Sequence, residues 1–257
     1  IVTEQNTLQF AIGVASTLAM LKTDADTRIA GILFELSEMN PLAAEKIEAK
    51  FGKEIAELVA GVRRLMRLRE ATLKQHDVGR GKDEAERTAS QMEVLRKMVL
   101  AMANDMRVVL VRLASRVTTL RYFAECKRDD GAVQQYASET MDLYAPLANR
   151  LGVWQLKWEL EDLSFRFLEP EQYKRIAKML EEKRVERESF VVSAIARLEH
   201  ELKSVDVKAE VSGRPKHIYS IWKKMKGKRV DFDELYDVRA FRVIVDDIKD
   251  CYTVLGI

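Results

Sequence analysis

The stretch Val205-Asp206-Val207-Lys208-Ala209-Glu210-Val211-Ser212, followed by Gly213-Arg214-Pro215-Lys216-His217-Ile218-Tyr219-Ser220-Ile221-Trp222-Lys223-Lys224-Met225, decides the fold. Val205, Val207, Ala209 and Val211 alternate with polar residues, the period of a half-buried strand. Gly213-Arg214-Pro215 reads as a turn into a helix from about Lys216 to Lys226. Val238 to Val245 is expected as a second, mostly apolar strand, and Ile248 to Leu255 as the start of another helix. Strand–helix–strand–helix opens an α/β domain, although two strands alone do not bury a core.

Upstream of this point the pattern is helical from Asn6 to about Leu202. Leu8, Ile12, Ala15 and Leu18 recur at helical spacing, and Asp26 is expected to cap a second helix with Ile29, Ile32, Leu33 and Leu36 on one face. Asn40-Pro41 reads as the start of a third, because Asn caps well and Pro suits the first turn. A longer helix follows Phe51-Gly52. Residues His76 to Glu86, with Gly79 and Gly81, read as a loop. Helices are then expected over about 84–102, 105–125, 133–149 and 153–167, with Trp154 and Trp158 in the core. After Glu169-Pro170, residues 171–202 read as one long charged helix with a narrow stripe of Ile176, Met179, Leu180, Val185 and Phe190, the look of a connector between domains.

Composition agrees with a mainly α chain. Among 257 residues only 4 are Pro and 11 Gly, too few for the turns of a sandwich or barrel. Lys+Arg number 43 against 41 Asp+Glu, a net charge of +2, which argues against a uniformly basic nucleic-acid wrapper. Cys126 and Cys251 form neither a disulfide framework nor a zinc knuckle, so reduced thiols in the cytoplasm are expected. No run is long enough to span a membrane, and no signal peptide stands at the start. The chain opens on Ile1 inside a helical pattern and stops at Ile257 after another, so it is expected to be an N-terminal fragment of a longer protein.

The strongest chemical signal is the helix after Gly213. Lys216, Ser220 and Lys224 fall at i, i+4 and i+8 on one face, opposite a stripe of Ile218, Ile221, Trp222 and Met225. A helix N-terminus attracts anions. Arg214, just before it, is placed to stack on a base or fork onto a phosphate. Asp237, after Asp231, Asp233 and Glu234, stands at the start of the next strand, where a carboxylate beside a phosphate site usually holds Mg²⁺. Residues 206–229 carry eight Lys/Arg against Asp206 and Glu210, so a solvated basic face and nucleic-acid binding stay open beside nucleotide phosphate binding. Gly79-Arg80-Gly81-Lys82 is no Walker loop, lacking the Ser/Thr and the strand.

Residues 213–225, with Asp233-Glu234-Leu235-Tyr236-Asp237-Val238-Arg239-Ala240-Phe241-Arg242, closely resemble the start of the synthetase domain of the RelA/SpoT family. Tyr144-Ala145-Pro146-Leu147-Ala148-Asn149-Arg150-Leu151-Gly152, Gln155 to Leu163, Phe51-Gly52 with Ile55-Ala56, and Arg96-Lys97-Met98 match the same family. The resemblance implies synthesis of ppGpp and pppGpp in the stringent response, by moving a pyrophosphate from ATP to the 3′-hydroxyl of GDP or GTP. It assigns Arg214 to adenine and phosphates, Lys216, Ser220 and Lys224 to the ATP phosphates, and Asp237 to catalytic Mg²⁺. It implies an HD-like helical domain over 1–168, a connector over 169–202 and the first part of the synthetase domain over 203–257. The guanosine-binding half is expected beyond Ile257, and the fragment itself is expected to be inactive. Implied partners are ATP, GTP or GDP, a second copy of the chain, and the ribosome with uncharged tRNA through regions outside this chain; a membrane is not among them.

Many members of that family hydrolyse the alarmones with Mn²⁺ in the helical domain. Here Phe10 stands at the first metal-ligating histidine, Phe34-Glu35 at a His-Asp pair, Glu38-Met39 at an acidic pair, and Ala114-Ser115-Arg116 with Thr118-Thr119 at Ala-Asp-Arg and its His-Asn. Phenyl and hydroxyl groups do not hold a transition metal. The expectation is therefore a degenerate hydrolase domain without Mn²⁺, as in the monofunctional RelA-like branch. A second role is a regulatory pseudoenzyme that restrains the synthetase.

Overall fold

The computed structural model describes residues 6–39, 43–77, 105–182, 184–232, 235 and 239–257. The Asn40-Pro41 cap, the expected helix 84–102 with Arg96-Lys97-Met98, nearly all of the expected 76–86 loop, and Asp233, Glu234 and Asp237 lie outside the described residues. The chain divides into two compact units, Ile1–Leu168 and Glu169–Ile257.

The first unit is helical throughout its described residues: α1 (Thr7–Met20), α2 (Ala25–Met39), α3 (Ala43–Phe51), α4 (Lys53–Asp77), α5 (Met106–Glu125), α6 (Gly131–Glu139), a π-turn (Thr140–Tyr144), α7 (Ala145–Arg150) and α8 (Trp154–Leu168). Helix starts are set by short acceptors. Asn6 accepts from the N–H groups of Leu8 and Gln9, and Asp130 from those of Ala132 and Val133. For α2 the cap is Asp24, which accepts from the Thr27 N–H (2.8 Å) and hydroxyl (2.7 Å), and not Asp26, which sits in the first turn. Gly52, at φ +88°, ends α3 in a conformation that favours glycine. α4 extends to Asp77, so His76 is helical and not in a loop.

α5 is the axis of this unit. Val108, Val109, Val111 and every residue from Arg112 to Leu120 are buried, because α1, α2, α4 and α8 all pack against it. Gly13 lets α1 close on Thr118, where an added Cβ would meet the Thr118 Cγ2 at 2.6 Å. Arg121 ties three helices: it donates to Glu159 of α8 (2.7 Å from Nη2) and to the Thr17 hydroxyl of α1 (3.0 Å). The expected helix 133–149 is interrupted by the π-turn, which apolar spacing does not reveal. Trp154 is also a correction: as the first residue of α8 it is 44 % exposed, with its ring tilted against Trp158 at 6.0 Å.

The second unit holds α9 (Pro170–Glu182), α10 (Arg184–Ser204), β1 (Ala209–Pro215), α11 (Ile218–Lys228), β2 (Arg239–Val245) and α12 (Ile248–Gly256). The expected helix 171–202 is helical over its described residues, 170–182 and 184–204, with residue 183 outside them. α10 packs on both strands and so covers the sheet, and α9 packs on α11. β1 starts four residues later than expected. Val205 and Asp206 form a turn instead, Asp206 at φ +57°, and Gly213-Arg214-Pro215 belong to the strand. β1 and β2 are antiparallel, with Ala209 opposite Val245 and Arg214 opposite Ala240. Phe241 of β2 meets Phe190 of α10 at 6.5 Å between centroids.

Two stability outcomes follow from these contacts. A Cβ at Gly213 would fall inside the van der Waals radius of Val191 Cγ1 on α10. Gly213→Ala should therefore lower the stability of the second unit by about 1–3 kcal/mol in urea titration, the usual cost of overpacking. Asp105, at the start of α5, accepts from Arg107, and that hydrogen bond holds its carboxyl below the ordinary 3.8. A lowered folded-state pKa stabilises above the unfolded value and is lost as pH falls through the folded one. Asp105→Asn keeps the cap but loses the charge. It should cost about 0.5–1 kcal/mol at pH 7, with the gap to the parent chain closing below pH 4.

Candidate functional site

The sequence-derived phosphate residues sit on the route from β1 to α11. The chain leaves β1 at Pro215, passes Lys216 and His217, and enters α11 at Ile218, two residues later than expected. His217 is the extended N-cap residue, and its side chain makes no capping hydrogen bond. Lys216 and Lys224 come together here. The side chain of Lys216 within hydrogen-bonding reach, slight desolvation and the charges of Lys216 and Lys228 all hold the Lys224 ammonium below the usual lysine range. Two ammoniums so close repel, and a polyanion between them turns that repulsion into attraction. Ser220 and Lys224 lie one helical turn apart in α11, whereas Lys216 precedes the helix.

The opposite stripe anchors this face. Ile221 is fully buried, while Ile218, Trp222 and Met225 are half-buried. Trp222 stacks on Tyr219 (5.6 Å, 28°) and lies under the Lys226 ammonium at 4.9 Å. Lys223, Lys226, Lys228 and Arg229 are exposed, and Arg229 ends the helix at φ +54°. Arg214 is in β1; its side chain, like all of Asp237, lies outside the described residues.

In the helical unit the residues at the expected hydrolase positions pack. Phe34 is fully buried and Phe10 is 9 % exposed; their rings meet edge to face at 6.0 Å. Glu35 is half-buried, and the side chain of Glu38 lies outside the described residues. Ser115 is buried and donates to the Arg112 carbonyl at 2.8 Å. Thr118 and Thr119 likewise donate to the carbonyls of Ala114 and Ser115, four residues back. These hydroxyls are turned onto their own helix. Among the described residues no three His, Cys, Asp or Glu side chains form a group able to hold a metal ion.

Sequence reasoning missed a buried arginine cluster beside them. Arg116 donates to the Thr140 hydroxyl (2.7 Å), the Tyr136 carbonyl (2.6 Å) and Glu139 (2.9 Å), and its guanidinium lies over the rings of Tyr136 and Tyr144. The signal was present: Arg112 and Arg116, four apart, stand among the apolar Val111, Leu113, Ala114 and Val117.

Residues 2–154 match the family model described as HD domain, and residues 213–257 match the region found in RelA / SpoT proteins. The chain is 43 % identical over 246 residues to the GTP pyrophosphokinase of Escherichia coli (strain K12), covering 96 % of this chain and 31 % of that protein. It is 41 % identical over 251 residues to the GTP pyrophosphokinase of Haemophilus influenzae, covering 97 % and 32 %. A probable guanosine-3′,5′-bis(diphosphate) 3′-pyrophosphohydrolase of Synechocystis is 38 % identical over 247 residues, covering 96 % and 30 %. The chain thus spans about a third of the length of the curated relatives it matches. No helix among the described residues is long and apolar enough to cross a membrane.

The packing of Phe34 generates one outcome. Phe34→His puts a polar ring into a fully buried apolar position. It should cost about 1–3 kcal/mol, the scale of a buried polar group without a partner. Unchanged thermal stability would contradict the burial.

Proposed function

The chain belongs to the RelA/SpoT family, an HD domain followed by the start of the RelA/SpoT region, and on that footing we propose that its parent protein is a GTP pyrophosphokinase of the stringent response. It moves a pyrophosphate from ATP to the 3′-hydroxyl of GDP or GTP. The observation that carries this reading is the approach of the Lys216 side chain, just before α11, to Lys224 within that helix. Pyrophosphoryl transfer asks a protein mainly to position phosphates and neutralise their charge. Lys216 and Lys224 clamp the ATP phosphates, Ser220 donates its hydroxyl to one of them, and Arg214 holds the adenine end. Asp237 holds the Mg²⁺ that offsets phosphate charge.

We further propose that the helical unit neither holds Mn²⁺ nor hydrolyses the alarmones, and acts as a regulatory scaffold for the synthetase. The favouring observation is the Phe10–Phe34 contact at two of the positions where the resemblance requires ligands. The partners of the intact protein are ATP and GTP or GDP. The ribosome with uncharged tRNA is proposed to act through regions outside this chain, in the cytoplasm.

The test is alarmone synthesis from labelled ATP and GDP by the full-length parent, resolved by thin-layer chromatography. Lys216→Ala, Lys224→Ala and Asp237→Ala should each lower the rate at least tenfold, about 1.4 kcal/mol of transition-state stabilisation. Rates like those of the parent protein would overturn the phosphate-site reading. RNA binding that falls steeply with salt and ignores ATP would favour the nucleic-acid reading of the 214–229 patch instead.

A further inference from the structure

Arg112 and Arg116 lie one turn apart on α5, and their guanidiniums approach the same Tyr144 ring, at 5.4 Å and 4.4 Å from its centroid. The Arg116 side chain has no exposure, and Arg112 is 6 % exposed. The charges here do not balance. Glu139 accepts from Arg116 Nη2 at 2.9 Å. Arg112 has no ion-pair partner among the described residues. Its guanidinium donates to two neutral hydroxyls, Ser115 Oγ at 3.2 Å and Tyr144 at 3.3 Å, while Glu139 acts on it through space. Arg116 Nη1 is buried and has no hydrogen-bond partner. A guanidinium does not shed its proton in a protein. A buried charge without a counter-charge is strongly unfavourable.

We propose that this arginine pair binds a small inorganic oxyanion of the phosphate class, between α5 and the π-turn. Such an ion accepts from Arg116 Nη1 and from the unused N–H groups of Arg112, in the bidentate manner guanidinium favours. The site belongs to the helical unit and does not rest on the reading of α11. It gives the unit a reason to retain two buried arginines that hold no metal.

The test is thermal unfolding of the full chain, with Lys216→Ala and Lys224→Ala added so that the α11 face does not report. Inorganic phosphate should raise the midpoint by about 2–4 °C over chloride at equal ionic strength. Phosphate also stabilises proteins in general by exclusion from their surface, so the increment is read against Arg112→Met. That variant buries an apolar chain of similar length and should lose the increment. Ser115→Asp sets a carboxylate beside Arg112 Nη1. It should raise the midpoint in chloride and shrink the phosphate increment. An increment kept in full by Arg112→Met, or no increment in the parent chain, would overturn the proposal. If Ser115→Asp does not fold, Arg112→Met alone decides.

Discussion

The first unit depends on how Arg116 is buried. Its guanidinium lies over Tyr136 at 3.5 Å and over Tyr144 at 4.4 Å, and it bonds Thr140, Glu139 and the Tyr136 carbonyl. All of these partners come from α6 and the turn after it. That turn is a π-turn, and the Tyr136 carbonyl at its entry also accepts from the Thr140 hydroxyl at 2.7 Å. One buried cation therefore joins the central helix to the segment that leads into α7. Removing either charge of the Arg116–Glu139 pair strands the other inside the protein.

Around this tie α5 is buried on every side, and its small hydroxyls bond their own backbone. That is packing chemistry. Phe10 and Phe34 extend it to α1 and α2. The second unit has the opposite character. Its chemistry-bearing residues gather at one strand-to-helix junction, where Lys216 and Lys224 converge opposite the buried Ile221. Helices α9 and α10 cover the strand pair and α11, so the junction stands on packed elements.

Much of this was legible in the sequence. Most described helices of the first unit, the second strand and the last helix came from spacing alone, and Asp105 and Asp130 cap as short acceptors should. The misreadings have particular causes. Val205 and Val207 alternate like a strand, but the turn at Asp206 delays β1, and the strand takes in Gly213 because α10 packs too closely there for a side chain. Trp154 looks like core by type; its place at a helix start leaves it at the surface. The π-turn and the Arg116 cluster depend on partners 20 to 32 residues away along the chain, which no local pattern encodes. At the candidate phosphate site, spacing put Ser220 and Lys224 one turn apart, but it also put Lys216 on the same helix, which starts two residues later.

The central claim is that the helical unit packs where some relatives do chemistry, while phosphate handling falls to the strand-to-helix junction. Incubating the chain with ppGpp and excess Mn²⁺ and following the release of GDP and pyrophosphate tests it most directly. The account predicts no release above a protein-free blank at any Mn²⁺ concentration. Metal-dependent turnover, abolished by chelation and scaling with protein, would contradict it.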